Sequence, residues 1–143
     1  MIASQMSKVV AAVPTAATTN TTTLVIDTLS WDYASVAVLR ASNAATTFAS
    51  TLKVEESDDN SAYSNVSGFV GGTDFTIPTV TDTASVAVVK LDIDTKVRKR
   101  YLKVSACPST SSAIAVAISG RLSRGDSAPT TAAEAGCIGW VKG

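Results

Sequence analysis

A chain of 143 residues with twelve basic and twelve acidic side chains has the size of one domain and a formal net charge of zero. Neutrality argues against a protein that binds nucleic acid or an anionic membrane surface, because both partners attract a basic surplus. The sequence has no histidine, which excludes Ser-His-Asp and Cys-His catalysis. It also has no apolar stretch near the roughly 18 residues of a membrane span.

The side chains on the surface are expected to be small and uncharged, since only 17% of the residues are charged and Ala, Ser and Thr take the place of charged residues. Such a surface suits close contact with another protein, and a compositional bias of the source genome explains it equally well. A net charge near zero adds a mild indication of self-association.

The N-terminal segment from Met1 to Asn20 is rich in Ser, Thr and Ala and lacks the pattern of a secretory signal. We therefore predict an extended, flexible arm over residues 1–20, either mobile or lying across a neighbouring subunit. A single β domain is expected over residues 21–143.

Short runs of period-2 alternation follow, separated by turn residues, and they predict strands. In the first run Leu24, Ile26 and Thr28 share one face, whereas in the second both faces are partly apolar, which is typical of an inner strand. The predicted strands are Thr21–Leu29, Tyr33–Arg40, Phe48–Glu55, Ala84–Asp92, Lys99–Ala106, Ala113–Leu122 and a short last strand, Cys137–Val141.

The last long strand carries alanines at positions 113, 115 and 117 opposite a row of Ile and Val, which suggests that a second layer packs close by. The polar run Glu56 to Asn65 is expected to be a loop, and Phe69 to Gly72 to be a turn. About eight strands with no helix-length pattern predict an all-β sandwich, with a jelly roll as the first choice. The strand order stays open.

The two cysteines, Cys107 and Cys137, are expected to be buried free thiols, because a chain without a signal peptide folds in a reducing cytosol. A disulfide between them remains an alternative. With no histidine and two thiols, a zinc site falls short of its usual four ligands.

Carboxylates cluster at Glu55, Glu56, Asp58 and Asp59, but their spacing does not match a calcium-binding loop, so a solvated acidic turn is the preferred interpretation. A glycoside hydrolase would need a partner such as Asp92 or Asp94 across a cleft. The sequence places none there, and we predict no catalytic, cofactor-binding or metal-binding residues and no cofactor.

The most concentrated charge is the basic run Lys96 to Lys103. An acidic stretch precedes it and the total charge is neutral, which disfavours nucleic acid. Alternating basic side chains also keep an edge strand soluble. A third interpretation is docking on an acidic protein surface, and the candidate partner contacts are then Arg98, Lys99, Arg100 and Lys103.

Two segments together resemble a known group of proteins. They are TLKVEESDDNSAYSNVSGF, from Thr51 to Phe69, and RKRYLKVSACPSTSSAIAVAISGRLSR, from Arg98 to Arg124. They resemble small structural proteins of tailed bacteriophages, among them the capsid decoration or cement proteins. The resemblance covers about half of the chain and carries over no functional residue.

The resemblance implies a non-enzymatic β-sandwich, made in the host cytoplasm, that sits on the virion capsid surface and bridges major capsid protein subunits. Weak contacts suffice on a lattice, because avidity multiplies them. A homo-oligomer, dimer or trimer, is expected, with no nucleic acid or membrane partner. The alternative is a carbohydrate- or receptor-binding sandwich, such as a tail-associated adhesin, whose stacking platforms would come from Trp31, Tyr33, Tyr63 and Trp140.

Overall fold

Two antiparallel sheets pack face to face in the computed structural model of the chain, which describes residues 5–110 and 113–142. The described residues form nine strands and the short 3-10 helix Thr95–Val97. The strands are β1 (Ser7–Ala11), β2 (Thr15–Ala17), β3 (Thr22–Asp27), β4 (Trp31–Arg40), β5 (Thr51–Ser57), β6 (Ser64–Val70), β7 (Ala87–Asp94), β8 (Tyr101–Cys107) and β9 (Ile114–Gly125).

The strand order is nested. In the first sheet it is β1-β9-β4-β7, with β2 also paired to β9, and in the second it is β3-β8-β5-β6. If β1 and β2 count as two halves of one strand, the first strand of the chain pairs with the last, β9. Moving inward along the chain, β3 then pairs with β8, β4 with β7, and β5 with β6 in a hairpin. This nesting is the topology of a jelly roll. It confirms the predicted all-β sandwich and supplies the strand order that the sequence leaves open.

The core lies between the sheets and is built from one side of each strand. In β3, Leu24 and Ile26 are buried while Val25 is exposed, as the alternation predicts. Strand β4 lies between β9 and β7, which confirms the predicted inner strand. Side chains buried most completely in the core include Val36, Val38, Leu52, Val54, Leu102, Val104, Ile118 and Leu122.

Part of the predicted N-terminal arm belongs to the sandwich. Ser7–Ala11 pairs with the second half of β9, and Thr15–Ala17 pairs with its first half. The domain therefore begins before the predicted boundary at residue 21, because backbone pairing with β9 holds these short segments although their sequence does not alternate. Residues 1–4 of the predicted arm lie outside the described residues.

Two other segments differ from the prediction. Strand β6 runs through residues expected to be loop and turn, and its only buried side chain is Val66. Residues 137–141, expected to be a last strand, form no strand in the structure.

A buried arginine anchors the loop after β4. Arg40 is only 1% exposed and lies on the same side of β4 as Val36 and Val38. Its guanidinium donates hydrogen bonds to the carbonyl oxygens of Thr47 (2.8 Å), Asn43 and Ala45. The residues from 43 to 47 are thereby held against the end of the sandwich.

Candidate functional site

The four basic residues predicted as partner contacts each pair with a carboxylate of the same chain. They lie on β8 and in the turn before it, facing β3, β5 and the loop after β5. The pairs are Arg98 with Glu56 (3.9 Å), Lys99 with Asp58 (3.1 Å), Arg100 with Asp27 (2.7 Å) and Lys103 with Glu55 (2.9 Å). Four cations of the basic run are thus paired locally, while Lys96 donates a hydrogen bond to the Tyr33 hydroxyl (3.1 Å). The role of the run as a partner contact stays a prediction.

Glu55 is the centre of this charged surface. Its carboxylate contacts both Lys103 and Lys53, the latter at 3.1 Å. Burial alone would raise the pKa of Glu55, but the hydrogen bonds and charges of the two lysines outweigh it and hold the pKa below its usual value. The Lys103 ammonium also lies 4.2 Å from the centre of the Tyr63 ring, a cation-π distance.

Arg100 and Asp27 form the most regular pair, with two parallel hydrogen bonds from the guanidinium, Nε at 2.9 Å and Nη2 at 2.7 Å. The hydrogen bonds from Arg100 are the main reason that the pKa of Asp27 is lowered. Both side chains are close to half exposed, so solvent screens the interaction.

The acidic loop after β5 is held by hydrogen bonds among its own residues. Asp59 Oδ1 accepts hydrogen bonds from the Ser57 hydroxyl (2.7 Å) and from the amides of Ser61 and Ala62 (both 2.9 Å). These bonds, the one from Ser57 foremost, lower the pKa of Asp59 to about 2. No group of three or more acidic or thiol side chains arranged to hold a metal occurs in residues 5–110 and 113–142.

The acidic cluster after β5 and the carboxylates of β7 do not share a cleft. Asp92 and Asp94 lie on the outer face of the first sheet, whereas Glu55 lies on the outer face of the second. Two carboxylates acting on one glycosidic bond must lie within about 10 Å across the same site. The structure therefore does not bring Glu55 together with Asp92 or Asp94.

The outer face of the first sheet divides into two halves. The register across its strands aligns small and aliphatic side chains over one half. We call this region the uncharged half, and its members are Ala11, Ala37, Leu39, Val88, Ala115, Ala117 and Ser119. The second layer predicted over these alanines is absent from the described residues, since Ala113 and Ala115 are exposed.

The other half of the same face carries a cleft of about 430 Å³. Tyr33 and Ser35 of β4 form its floor, Asp92 and Lys90 of β7 one wall, and Ser123 of β9 the other. The Ser35 hydroxyl donates a hydrogen bond to Asp92 Oδ1 (2.7 Å), and this bond lowers the pKa of Asp92. Hydroxyls, a carboxylate, an ammonium and one aromatic ring therefore line a single open cleft.

The other aromatic candidates are placed differently. Trp31 is half-buried and packs over Gly125, where an added Cβ would meet its ring at 2.9 Å. Tyr63 lies beneath Lys103, and Trp140 lies beneath Lys142 at 3.8 Å near the C-terminus. Among the four aromatic residues suggested by the sequence, Tyr33 is the one that lines the cleft. Its ring also lies near two cations, the Lys96 ammonium at 4.9 Å and the Arg124 guanidinium at 5.5 Å.

The cysteines are both free and half-buried. Cys107 lies at the end of β8, and its thiol approaches the carbonyl oxygen of Thr19. Cys137 follows the last turn and approaches the carbonyl oxygen of Ala132. The expectation of free thiols is confirmed, although neither is fully buried.

Comparisons with known proteins add no assignment: no family model, no curated protein and no solved structure matches the chain. Within the described residues, no helix has the length and apolar character to cross a bilayer. The surface features that bear on function are therefore the two halves of the outer face of the first sheet and the paired charges of the second sheet.

Proposed function

We propose that this chain is a structural virion protein that binds the outside of a phage head and bridges neighbouring major capsid protein subunits. The uncharged half of the first sheet carries the proposal. Its side chains are short or aliphatic, so another surface can approach the sheet closely. The charged Lys90 of β7, level with Ala37, lies at its border. The predicted homo-oligomer and the location on the capsid surface belong to the same proposal.

The resemblance to decoration proteins supports this function independently of the surface. The two resembling segments cover β5, β6, β8 and β9 and so include strands of both sheets. Jelly rolls occur both in viral shells and in lectins, so the fold alone does not choose between them. The internally neutralised basic run favours a protein partner over nucleic acid.

The proposal is tested by electron microscopy of heads from the phage that encodes the chain, and by binding of the purified protein to heads from which it has been removed. Ala115→Glu and Ala117→Glu place charge on the uncharged half and should weaken binding at least tenfold. Thr23→Glu, which adds the same charge at an exposed position of β3 in the other sheet, should not weaken binding. Absence of the chain from intact heads would overturn the proposal.

A second function, binding of a carbohydrate, is favoured by the cleft around Tyr33. Sugars stack on an aromatic ring and exchange hydrogen bonds with carboxylates and hydroxyls, and Tyr33, Ser35 and Asp92 bring these groups together. A glycan array with the wild type and Tyr33→Ala decides the matter. Glycan binding lost in Tyr33→Ala supports an adhesin, and no binding to any glycan rejects it.

A further inference from the structure

The C-terminal segment from Ile138 to Lys142 is exposed and apolar. Ile138 is fully exposed and Val141 is 98% exposed. The backbone of this segment makes no hydrogen bond to any other described residue. The Lys142 ammonium lies 3.8 Å from the centre of the Trp140 ring, and in a fully extended chain side chains 138, 140 and 142 would fall on one side. We call this segment the tail.

The tail leaves the domain at one edge of the first sheet. The turn before it covers the open edge of β1, where the Val9 amide donates to the Ala135 carbonyl oxygen (2.8 Å). Gly136 packs directly against the Val9 carbonyl in a left-handed conformation, with φ of 77°. This edge of the sheet is therefore already occupied.

The opposite edge of the sheet, β7, is open. It pairs with β4 on one side, and its other side has no strand neighbour among the described residues. Val86, just before the strand, is 60% exposed, and Val88 in its first half is 56% exposed, while its second half carries Asp92 and Asp94. A cavity of about 330 Å³, lined in part by Phe48 and Val80, lies beside the apolar half. Long open edges with apolar side chains are templates for strand addition.

The tail cannot occupy the β7 edge of its own chain. Three strand spacings, about 14 Å, separate β1 from β7. Ile138 is two residues beyond Gly136, which gives it a reach of roughly 7 Å. Pairing along β7 therefore requires the tail of another molecule.

We propose that the tail of one copy adds as a parallel strand to the β7 edge of a second copy. The two segments are complementary along their length. Each begins with apolar side chains, and the acidic end of β7 would then lie beside Lys142 at the end of the tail. With Ile138 level with Val88, Trp140 comes level with Lys90 and Lys142 with Asp92. That register gives an apolar pair beside the cavity, a cation-π pair and an ion pair.

This contact is head-to-tail, because it joins opposite edges of two identical sheets. Head-to-tail contacts close into rings when the rotation permits and otherwise give filaments. The expected assembly is a ring of three or more copies rather than a two-fold dimer. It forms from this chain alone and does not depend on the proposed role on a capsid.

The first experiment measures molar mass in solution by light scattering for the wild type, for a chain ending at Cys137, and for Ile138→Asp. The wild type should form an oligomer, and both variants should be monomers with circular dichroism unchanged. Val13→Asp, at a valine that is 83% exposed elsewhere, is the control and should remain oligomeric. A monomeric wild type, or an oligomer that survives truncation, overturns the proposal.

The second experiment tests the register by cross-linking. In a background of Cys107→Ser and Cys137→Ser, the pair Ile138→Cys and Val88→Cys should give a ladder of disulfide-linked oligomers on mild oxidation. Ile138→Cys with Val25→Cys, on an exposed position of the other sheet, should not. Equal ladders from both pairs, or none from either, would contradict the proposed pairing. Both experiments use purified chain without heads, so their failure leaves the proposed binding to the phage head standing.

Discussion

Glu55 of β5 and Lys103 of β8 lie opposite each other on neighbouring strands, with the carboxylate Oε2 2.9 Å from the ammonium nitrogen. Their side chains are only 13% and 26% exposed, which makes this the least solvated ion pair on the second sheet. Because Glu55 also contacts Lys53, two cations share one carboxylate. The surface that the sequence marks as basic is in this way a nearly neutral network.

Replacing Glu55 by Gln should therefore lower the free energy of unfolding by about 1–2 kcal/mol, since two partly buried lysines lose their counter-charge. Urea denaturation at pH 7 measures the change. Asp58→Asn, which removes the partner of Lys99 at a position that is 75% exposed, should change stability by less than about 0.5 kcal/mol. Equal effects of the two substitutions would show that burial does not govern these pairs.

The sequence predicts strands well where one face of the sheet is buried and the other is not. In β3 and β5 the alternation of Leu24 with Val25 and of Leu52 with Lys53 follows directly from that asymmetry. Strand β6 escapes prediction because Val66 is its one buried side chain, so no alternation marks it. Backbone pairing with β5 makes it a strand.

The candidate site is harder to predict because it depends on strand order. The sequence shows that Lys103 and Glu55 carry charge, but only the pairing of β8 with β5 brings them together. The row of alanines that ends with Ala117 is visible in the sequence. Whether a second layer covers it depends on which face of β9 meets the other sheet, and β9 presents Ile114, Val116 and Ile118 to the core.

Arg40 is expected to be the most sensitive charged position in the chain. Arg40→Met keeps most of the side-chain volume but leaves the carbonyls of Asn43, Ala45 and Thr47 without their donor, and should cost about 2–4 kcal/mol of stability. Arg121→Met, at an exposed position of β9, is the control and should fall within about 0.5 kcal/mol of the wild type. Thermal and urea unfolding would both report the difference, and similar values for the two variants would refute the structural role of Arg40.

Stability should fall in acid over a defined range. The pKa values of Asp27, Glu55 and Asp59 are lowered in the folded chain, so the unfolded chain binds protons first as the pH decreases. The stabilisation by these carboxylates is complete above the ordinary carboxyl pKa of about 4 and is lost as the pH falls toward 2. Melting temperatures measured from pH 7 to pH 2 should be level at first and then decline below about pH 4.

The contribution of Asp59 to this decline can be isolated. Ser57→Ala removes the hydroxyl that donates to its carboxylate and should raise the pKa of Asp59 from about 2 toward its usual value. Ser61→Ala keeps the backbone amide that donates to the same oxygen, so the pKa should not move. Carboxyl chemical shifts followed by NMR during a pH titration give both values, and an unchanged pKa in Ser57→Ala would count against the assigned cause.

Gly136 of the last turn and Gly139 of the tail differ both in backbone conformation and in their surroundings. At Gly136, φ is 77° and an added Cβ would lie 2.0 Å from the Val9 carbonyl oxygen, whereas at Gly139 an added Cβ meets nothing within 4 Å. Gly136→Ala should thus cost more than about 1 kcal/mol and detach the turn from β1, while Gly139→Ala should change stability by less than about 0.5 kcal/mol. Hydrogen exchange at the Val9 amide, which donates to the Ala135 carbonyl oxygen, reports the detachment directly. Faster exchange in Gly136→Ala alone is the expected result, and equal exchange in both variants would mean that the turn does not depend on the close approach of Gly136 to β1.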